Sequence, residues 1–151
     1  MIRLTNLADY AVVLMTSVAR APEQRFSSAQ LADTTGIPAP TVAKLLGTLA
    51  RADLLTASRG VAGGFSLSRP AALVNVAAIV EAVDGPISLT ACVSGDAHDC
   101  AIEGLCGVRG HWGPINAAVR AAFEAVTLAD LIKPAPRPRQ RLAVQSADAT
   151  L

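Results

Sequence analysis

The chain has 151 residues, 52% of them hydrophobic and 17% charged, with a formal net charge of +1. That is enough for one domain of average size, or a small domain with an extension, and it excludes a chain disordered throughout. Its apolar runs fall far short of a membrane span and its first residues open directly into patterned sequence, so a cytoplasmic protein is expected.

The charge is unevenly spread. Residues 1–70 carry seven Lys/Arg against four Asp/Glu (+3), residues 71–132 carry two against seven (−5), and residues 133–151 carry four against one (+3). A basic first segment is what phosphate contacts need, whereas an acidic one should stay off nucleic acid.

Thr5 can cap a first helix running to about Arg20, with Leu7, Ala11, Leu14 and Val18 as its apolar stripe. Asp9 lies near the start of that helix, where a carboxylate is electrostatically favoured for its own sake. Ala21-Pro22-Glu23-Gln24-Arg25 is a break. Ser27 with Gln30 forms a capping-box pattern for a second helix, which Thr35-Gly36 ends. Pro38-Ala39-Pro40 suits the first turn of a third helix, from about Ala39 to Arg51.

In that third helix Val42, Leu45, Leu46 and Leu49 share one side, and Thr41, Lys44, Thr48 and Arg51 share another. Helix, glycine turn, helix is the helix-turn-helix pattern, whose second helix enters the major groove. A plain solvated face would read the same for this helix alone. The short strand-like runs Leu54–Ser58 and Phe65–Ser68 then flank Arg59-Gly60-Val61-Ala62-Gly63-Gly64. This is a hairpin with a glycine-rich, arginine-bearing tip, a wing suited to the minor groove or a phosphate. The fold expected is mainly α with a small β-hairpin: a winged helix-turn-helix followed by a long dimerisation helix. Ser28, Thr41, Lys44, Thr48, Arg51, Arg59 and Gly60 are the candidate contacts to double-stranded DNA.

Asn75 can cap a fourth helix to about Val83, stopped by Asp84-Gly85-Pro86. Then come all three cysteines, Cys92, Cys100 and Cys106, spaced C-x7-C-x5-C among glycines and polar residues. Such neighbours do not resemble an apolar core. The odd count argues against a disulfide framework, and paired C-x2-C knuckles of common zinc sites are absent. Soft thiolates suit an iron–sulfur cluster, zinc with a fourth His or Asp, or a thiol redox switch. Beyond Trp112-Gly113-Pro114, a helix from Ile115 to about Ala125 places Ile115, Val119, Phe123 and Val126 at near-helical spacing. It is expected to pack on helix 1 and on the same helix of a second subunit. Thr127 caps a last short turn through Ile132, and an extended, disordered tail follows from Pro134. The expected division is 1–70 for DNA binding, 71–132 for the cysteine loop and dimerisation, and 133–151 for the tail.

These motifs resemble the Rrf-two family of winged-helix regulators, which includes IscR, NsrR and RirA, and within it the branch that regulates SUF-system iron–sulfur assembly. The resemblance rests on Arg3-Leu4-Thr5, Ala8-Asp9-Tyr10-Ala11, Leu54 to Phe65 with its Arg-Gly-x-x-Gly-Gly wing, Val83-Asp84-Gly85-Pro86, the three cysteines and Thr127-Leu128, and it covers about residues 1–132. It implies a homodimer that binds a partly palindromic operator according to the state of an iron–sulfur cluster, repressing SUF-type or iron-homeostasis genes. Cys92, Cys100 and Cys106 fall on the family's cluster thiolates, with the longer C-x7-C spacing of RirA. The histidine ligand that IscR carries three residues after its last cysteine is Arg109 here. Asp9 falls on the carboxylate that NsrR-type members donate from the partner subunit, with His111 and His98 as substitutes, and 4Fe–4S is favoured over 2Fe–2S. Arg59 falls on the family's wing arginine, while Pro40 and Ala43 replace polar positions of IscR's recognition helix. The rivals are a zinc-bound or thiol-redox transcriptional switch, a partner-binding module without DNA affinity, and a small oxidoreductase. The last lacks a nucleotide fingerprint, a C-x-x-C pair and a catalytic triad, so no enzyme is expected.

Overall fold

The fold is seen in a computed structural model that describes residues 3–93, 100 and 102–134. It is mainly helical with one two-stranded antiparallel hairpin, in the order α1 (Asn6–Ala19), α2 (Ser28–Thr35), α3 (Ala39–Arg51), β1 (Leu55–Ser58), β2 (Gly64–Leu67), α4 (Val76–Asp84), α5 (Arg109–Glu124) and α6 (Leu128–Leu131). Two short 3-10 turns, Ala71–Leu73 and Glu103–Leu105, precede α4 and α5. His98 and the tail beyond Pro134 lie outside the described residues.

Local chemistry sets most helix ends. Thr5 Oγ1 accepts from the Ala8 N–H at 3.1 Å and donates to the Asp84 carboxylate at 2.8 Å, so one hydroxyl caps α1 and ties it to the end of α4. Ser27 and Gln30 form the full capping box of α2. Gly36, at φ 72, ends α2 in the left-handed region, where glycine carries no steric penalty. Pro40 sits in the first turn of α3, and the Asn75 side chain accepts from the Ala78 N–H at 2.8 Å to start α4.

The core is the shared product of these helices. Ala11, Leu14, Met15 and Val18 of α1 meet Leu31 of α2, Val42, Leu45, Leu46 and Leu49 of α3, and Ile79 of α4. The face buried by α1 is wider than the expected stripe: Ala8, Met15 and Ala19 are buried, whereas Leu7 is only half-buried. Each fully buried leucine contributes on the order of 1.5–3 kcal/mol relative to exposure. Leu128 of α6 belongs to the same core with no exposed surface. Backbone bonds from Val76 N–H to Val126 C=O and from Leu128 N–H to Val74 C=O, both 2.9 Å, fasten α6 beside the start of α4.

The hairpin is shifted by a residue at its ends from the expected strands. Leu54 N–H closes the end of α3 on the Leu49 carbonyl at 3.0 Å, so the ladder begins at Leu55, and Gly64 pairs with Ser58. Phe26, ahead of α2, exchanges bonds of 2.9 and 2.8 Å with Phe65 and anchors the other edge of β2. A Cβ on Gly64 would stand 2.8 Å from the Phe26 carbonyl oxygen, and one on Gly63 would stand 2.4 Å from that of Ser58. These two glycines therefore serve close backbone approach within the wing itself.

The largest departure concerns α5. It starts at Arg109, not near Ile115, and carries Pro114 inside. Its first turn is tightened, with His111 N–H bonded to the Val108 carbonyl at 3.0 Å, and Pro114 lies inside the helix rather than at its start. Its inward face is Asn116, Val119 and Phe123. Ile115 and Val126, expected on the apolar stripe, are 45% and 36% exposed. The helix packs chiefly on α4, and Phe123 reaches the small cluster of Ala8, Val76 and Val80 that includes α1.

Candidate nucleic-acid interface and cysteine segment

Because α3 commits Val42, Leu45, Leu46 and Leu49 to the core, its remaining surface is left for contact. Lys44 and Arg51 are exposed, and Thr41 and Thr48 are half-buried. Arg51 Nη2 donates to Thr48 Oγ1 at 3.0 Å, so two of the expected contact residues are paired with each other along the helix. Ser28, the first residue of α2, is half-buried. Arg59 and Gly60 are exposed where β1 runs out into the wing tip, and Gly60, at φ 101, makes the turn. Val61 at that tip is fully exposed.

One cation goes beyond those expected from the sequence. Arg69 donates through Nη2 to the Asp53 carbonyl at 3.3 Å, alongside a bond from the Ser68 hydroxyl to the same oxygen. Asp53, at φ 57, is the one non-glycine residue with positive φ among the described residues. Arg69 is thereby held, exposed, at the base of the wing. Its place directly after the second strand-like run was the available signal.

The three cysteines occupy the connection between α4 and α5. Gly85, at φ 84, turns the chain out of α4, and a turn closes from Val93 N–H to the Thr90 carbonyl at 3.0 Å. Cys92 lies in that turn, with its sulfur 3.1 Å from Thr90 Oγ1. Cys106 follows the turn Glu103–Leu105, and its carbonyl accepts from the Arg109 N–H, the first residue of α5. All three thiols are free and half-buried. Among the described residues no group of three or more His, Cys, Asp or Glu side chains converges on a point. As a donor set, three free thiols on one segment fit an iron–sulfur cluster or zinc, each of which would need a further ligand.

The candidates for that ligand stand apart. Asp9 is exposed on α1 and lines an apolar groove of about 410 Å³ with Leu4, Val12, Val76, Phe123 and Val126. Its carboxylate belongs to no cluster with the cysteines of its own chain among the described residues. His111 is exposed in the first turn of α5, five residues after Cys106.

Between α4 and α5 lies a charged network. Arg120 of α5 donates through Nε to Glu81 Oε1 at 2.8 Å and through Nη2 to Oε2 at 3.1 Å, and it also pairs with Glu124. The bonds from Arg120 hold the Glu81 carboxyl below its ordinary range, against a smaller upward push from burial. In α6 the Thr127 hydroxyl and Lys133 hold Asp130 down to about 2.

The model of the Rrf2 (Rrf-two) family, described as iron-dependent transcriptional regulators, matches residues 4–134. The chain belongs to the Rrf2 family. An HTH-type transcriptional regulator, ORF2 of Azotobacter vinelandii, is 31% identical over 131 residues, covering 86% of this chain and 79% of that protein. Among solved structures, CymR (YrzC), the global cysteine regulator of B. subtilis, superposes with a TM-score of 0.68 at 24% identity, over 87% of this chain and 97% of the other. IscR of T. potens superposes with a TM-score of 0.65 at 21% identity, over 87% and 86%. At such identities these structures speak for the fold, and they are winged-helix regulators. This Rrf2-family chain is thus a transcriptional regulator with a DNA-binding fold. Among the described residues no helix is long and apolar enough to cross a membrane.

Proposed function

We propose that this Rrf2-family regulator senses iron or redox status in the cytoplasm through an iron–sulfur cluster held by Cys92, Cys100 and Cys106. The observation that carries this reading is the set of three free, half-buried thiols on the one connection that joins the winged-helix core to α5. A 4Fe–4S cluster is favoured over 2Fe–2S. Asp9 of a partner subunit is the preferred fourth ligand, ahead of His111 and His98, because it falls on the carboxylate position of NsrR-type members and stands exposed on α1.

The regulator acts as a homodimer on a partly palindromic operator, repressing SUF-type assembly or iron-homeostasis genes. Ser28, Thr41, Lys44, Thr48 and Arg51 form the groove-reading set, and Arg59 and Gly60 form the wing contact. Residues 1–70 bind DNA, 71–132 carry the sensor and the dimer contact, and 133–151 form a tail. When bound, the cluster supplies iron–thiolate bonds that oxidation or iron loss can break. The protein's own part is to hold the segment between α4 and α5 in one arrangement, and thereby to set the spacing of two recognition helices.

The test is an anaerobic absorbance spectrum of purified protein with iron and sulfide analysis of the same sample. A broad band near ~400 nm with about four irons and matching sulfide per chain is expected. Stoichiometric zinc without sulfide would replace this reading with a zinc-bound switch. A metal-free protein that also resists reconstitution would leave a thiol-redox switch.

A further inference from the structure

The arm from Pro86 to Leu89 leads from the end of α4 towards Cys92 and forms neither helix nor strand. Its backbone polar groups therefore need partners from elsewhere. Asn116, on the inward face of α5, supplies two. Its Oδ1 accepts from the Leu89 N–H at 2.9 Å, and its Nδ2 donates to the Ile87 carbonyl at 2.9 Å. A carboxamide offers a donor and an acceptor side by side, as a peptide group does, so it pairs with the arm as a neighbouring strand would.

Asn116 is 8% exposed, the one buried polar residue among the described residues and the one buried residue of α5. One turn further along α5, Arg120 holds Glu81, whose Oε1 also accepts from the Ile87 N–H at 3.4 Å. Ile87 packs against the small apolar cluster of Ala8, Val76 and Val80. Beside it an open groove of about 310 Å³ runs along the arm, lined by Arg3, Asp84 and Ser88 as well as Leu4, Leu89 and Phe123. One side chain and a few directional bonds therefore fix the arm. At its other end α5 is fastened through Val126 and Leu128 to the winged-helix core.

We infer that Asn116 is a positioning residue that clamps the Cys92-bearing arm to α5, so that a rearrangement of the cysteine segment is passed to α5 rather than dissipated in a loop. The consequence for sensing rests on the function proposed above; the clamp itself rests on the geometry of the arm.

The test uses the full chain, reduced and metal-free, as wild type, Asn116→Ala and the size-conserving Asn116→Leu. Amide hydrogen exchange should show Leu89 protected in wild type and at least ~10-fold faster in both variants, with Leu46 in α3 unchanged. Alkylation by iodoacetamide, followed by peptide mass spectrometry, should rise about 5-fold or more at Cys92 and stay within about 2-fold at Cys106. A Leu89 amide that exchanges freely in wild type while Leu46 is protected overturns the clamp, and needs no variant to fold. Variants with unchanged Leu89 exchange and Cys92 alkylation overturn it as well. Because these measurements contain no metal, they stand even if cluster binding fails, and a failed clamp leaves the cluster reading to the iron and sulfide analysis.

Discussion

The winged-helix core and the cysteine segment are built on opposite plans. In the first, four helices contribute leucines, valines and a methionine with almost no exposed surface, and the hairpin is pinned along both edges of β2. In the second, a single residue of α5 is buried, and the approach to Cys92 is held by two bonds to Asn116, one to Glu81 and the packing of Ile87 on the small cluster of Ala8, Val76 and Val80. Dense apolar packing has few alternative arrangements, whereas a polar clamp beside an open groove can release. On the function proposed above, the first is the reader that keeps its shape and the second the sensor that changes it.

The sharpest way to break this contrast is by truncation. Leu46→Ala or Leu128→Ala should cost about 2–5 kcal/mol in denaturant unfolding, because each leaves a cavity in the packed core. Val108→Ala, in the cysteine segment with 56% of its surface exposed, should stay within about 0.5 kcal/mol. Equal costs at the two places would mean that the segment is packed like the core.

Next in size is the sensor's hold on the reader. Replacing Cys92, Cys100 and Cys106 together by alanine should remove a coupling of about 1–3 kcal/mol, seen as a roughly 5–150-fold difference in operator affinity between the iron-loaded and iron-stripped protein. Smaller still are single contacts on the reader. Lys44→Ala and Arg59→Ala should each weaken operator binding, and a residue that contacts phosphate should lower the slope of log affinity against log salt by about 1. An unchanged slope in both variants would place the DNA elsewhere on the surface.

The smallest effect is a pH dependence confined to α6. The Asp130 carboxyl is held down to about 2 by Thr127 and Lys133, from an ordinary value of 3.8. A depressed carboxyl contributes stability that is complete above the unfolded value and fades as pH falls through the folded one. Wild type should therefore melt slightly above Asp130→Asn at about pH 5, and the gap should close between about pH 4 and pH 2. A gap that persists at about pH 2 would locate the effect in packing rather than in the carboxylate.

What the sequence made legible was whatever neighbouring residues determine. Ser27 with Gln30, Gly36, Asn75 and Thr127 mark helix ends because each satisfies backbone groups three or four residues away, and all of them do so here. The leucine face of α3 is legible for the same reason. The start of α5 was not, since Trp112-Gly113-Pro114 carries a start signal that the helix overrides from Arg109 onward. Nor was Asn116, whose partners Ile87 and Leu89 lie 29 and 27 residues away and leave no periodic trace. Leu128 shares that property, absorbed into a core built mostly from earlier helices. The cysteines announced soft-ligand chemistry by type and clustering, but spacing carries no information on a ligand from another helix or another chain.

The central claim is that the state of Cys92, Cys100 and Cys106 sets operator affinity. The most direct measurement is an anaerobic titration of a DNA fragment from the region upstream of the gene, comparing iron-loaded and chelator-stripped wild type with the triple alanine variant at one fixed salt concentration. A clear difference between loaded and stripped wild type that vanishes in the variant is the predicted result. Identical affinities for all three proteins would contradict it and leave a winged-helix regulator whose cysteines do not speak to its DNA.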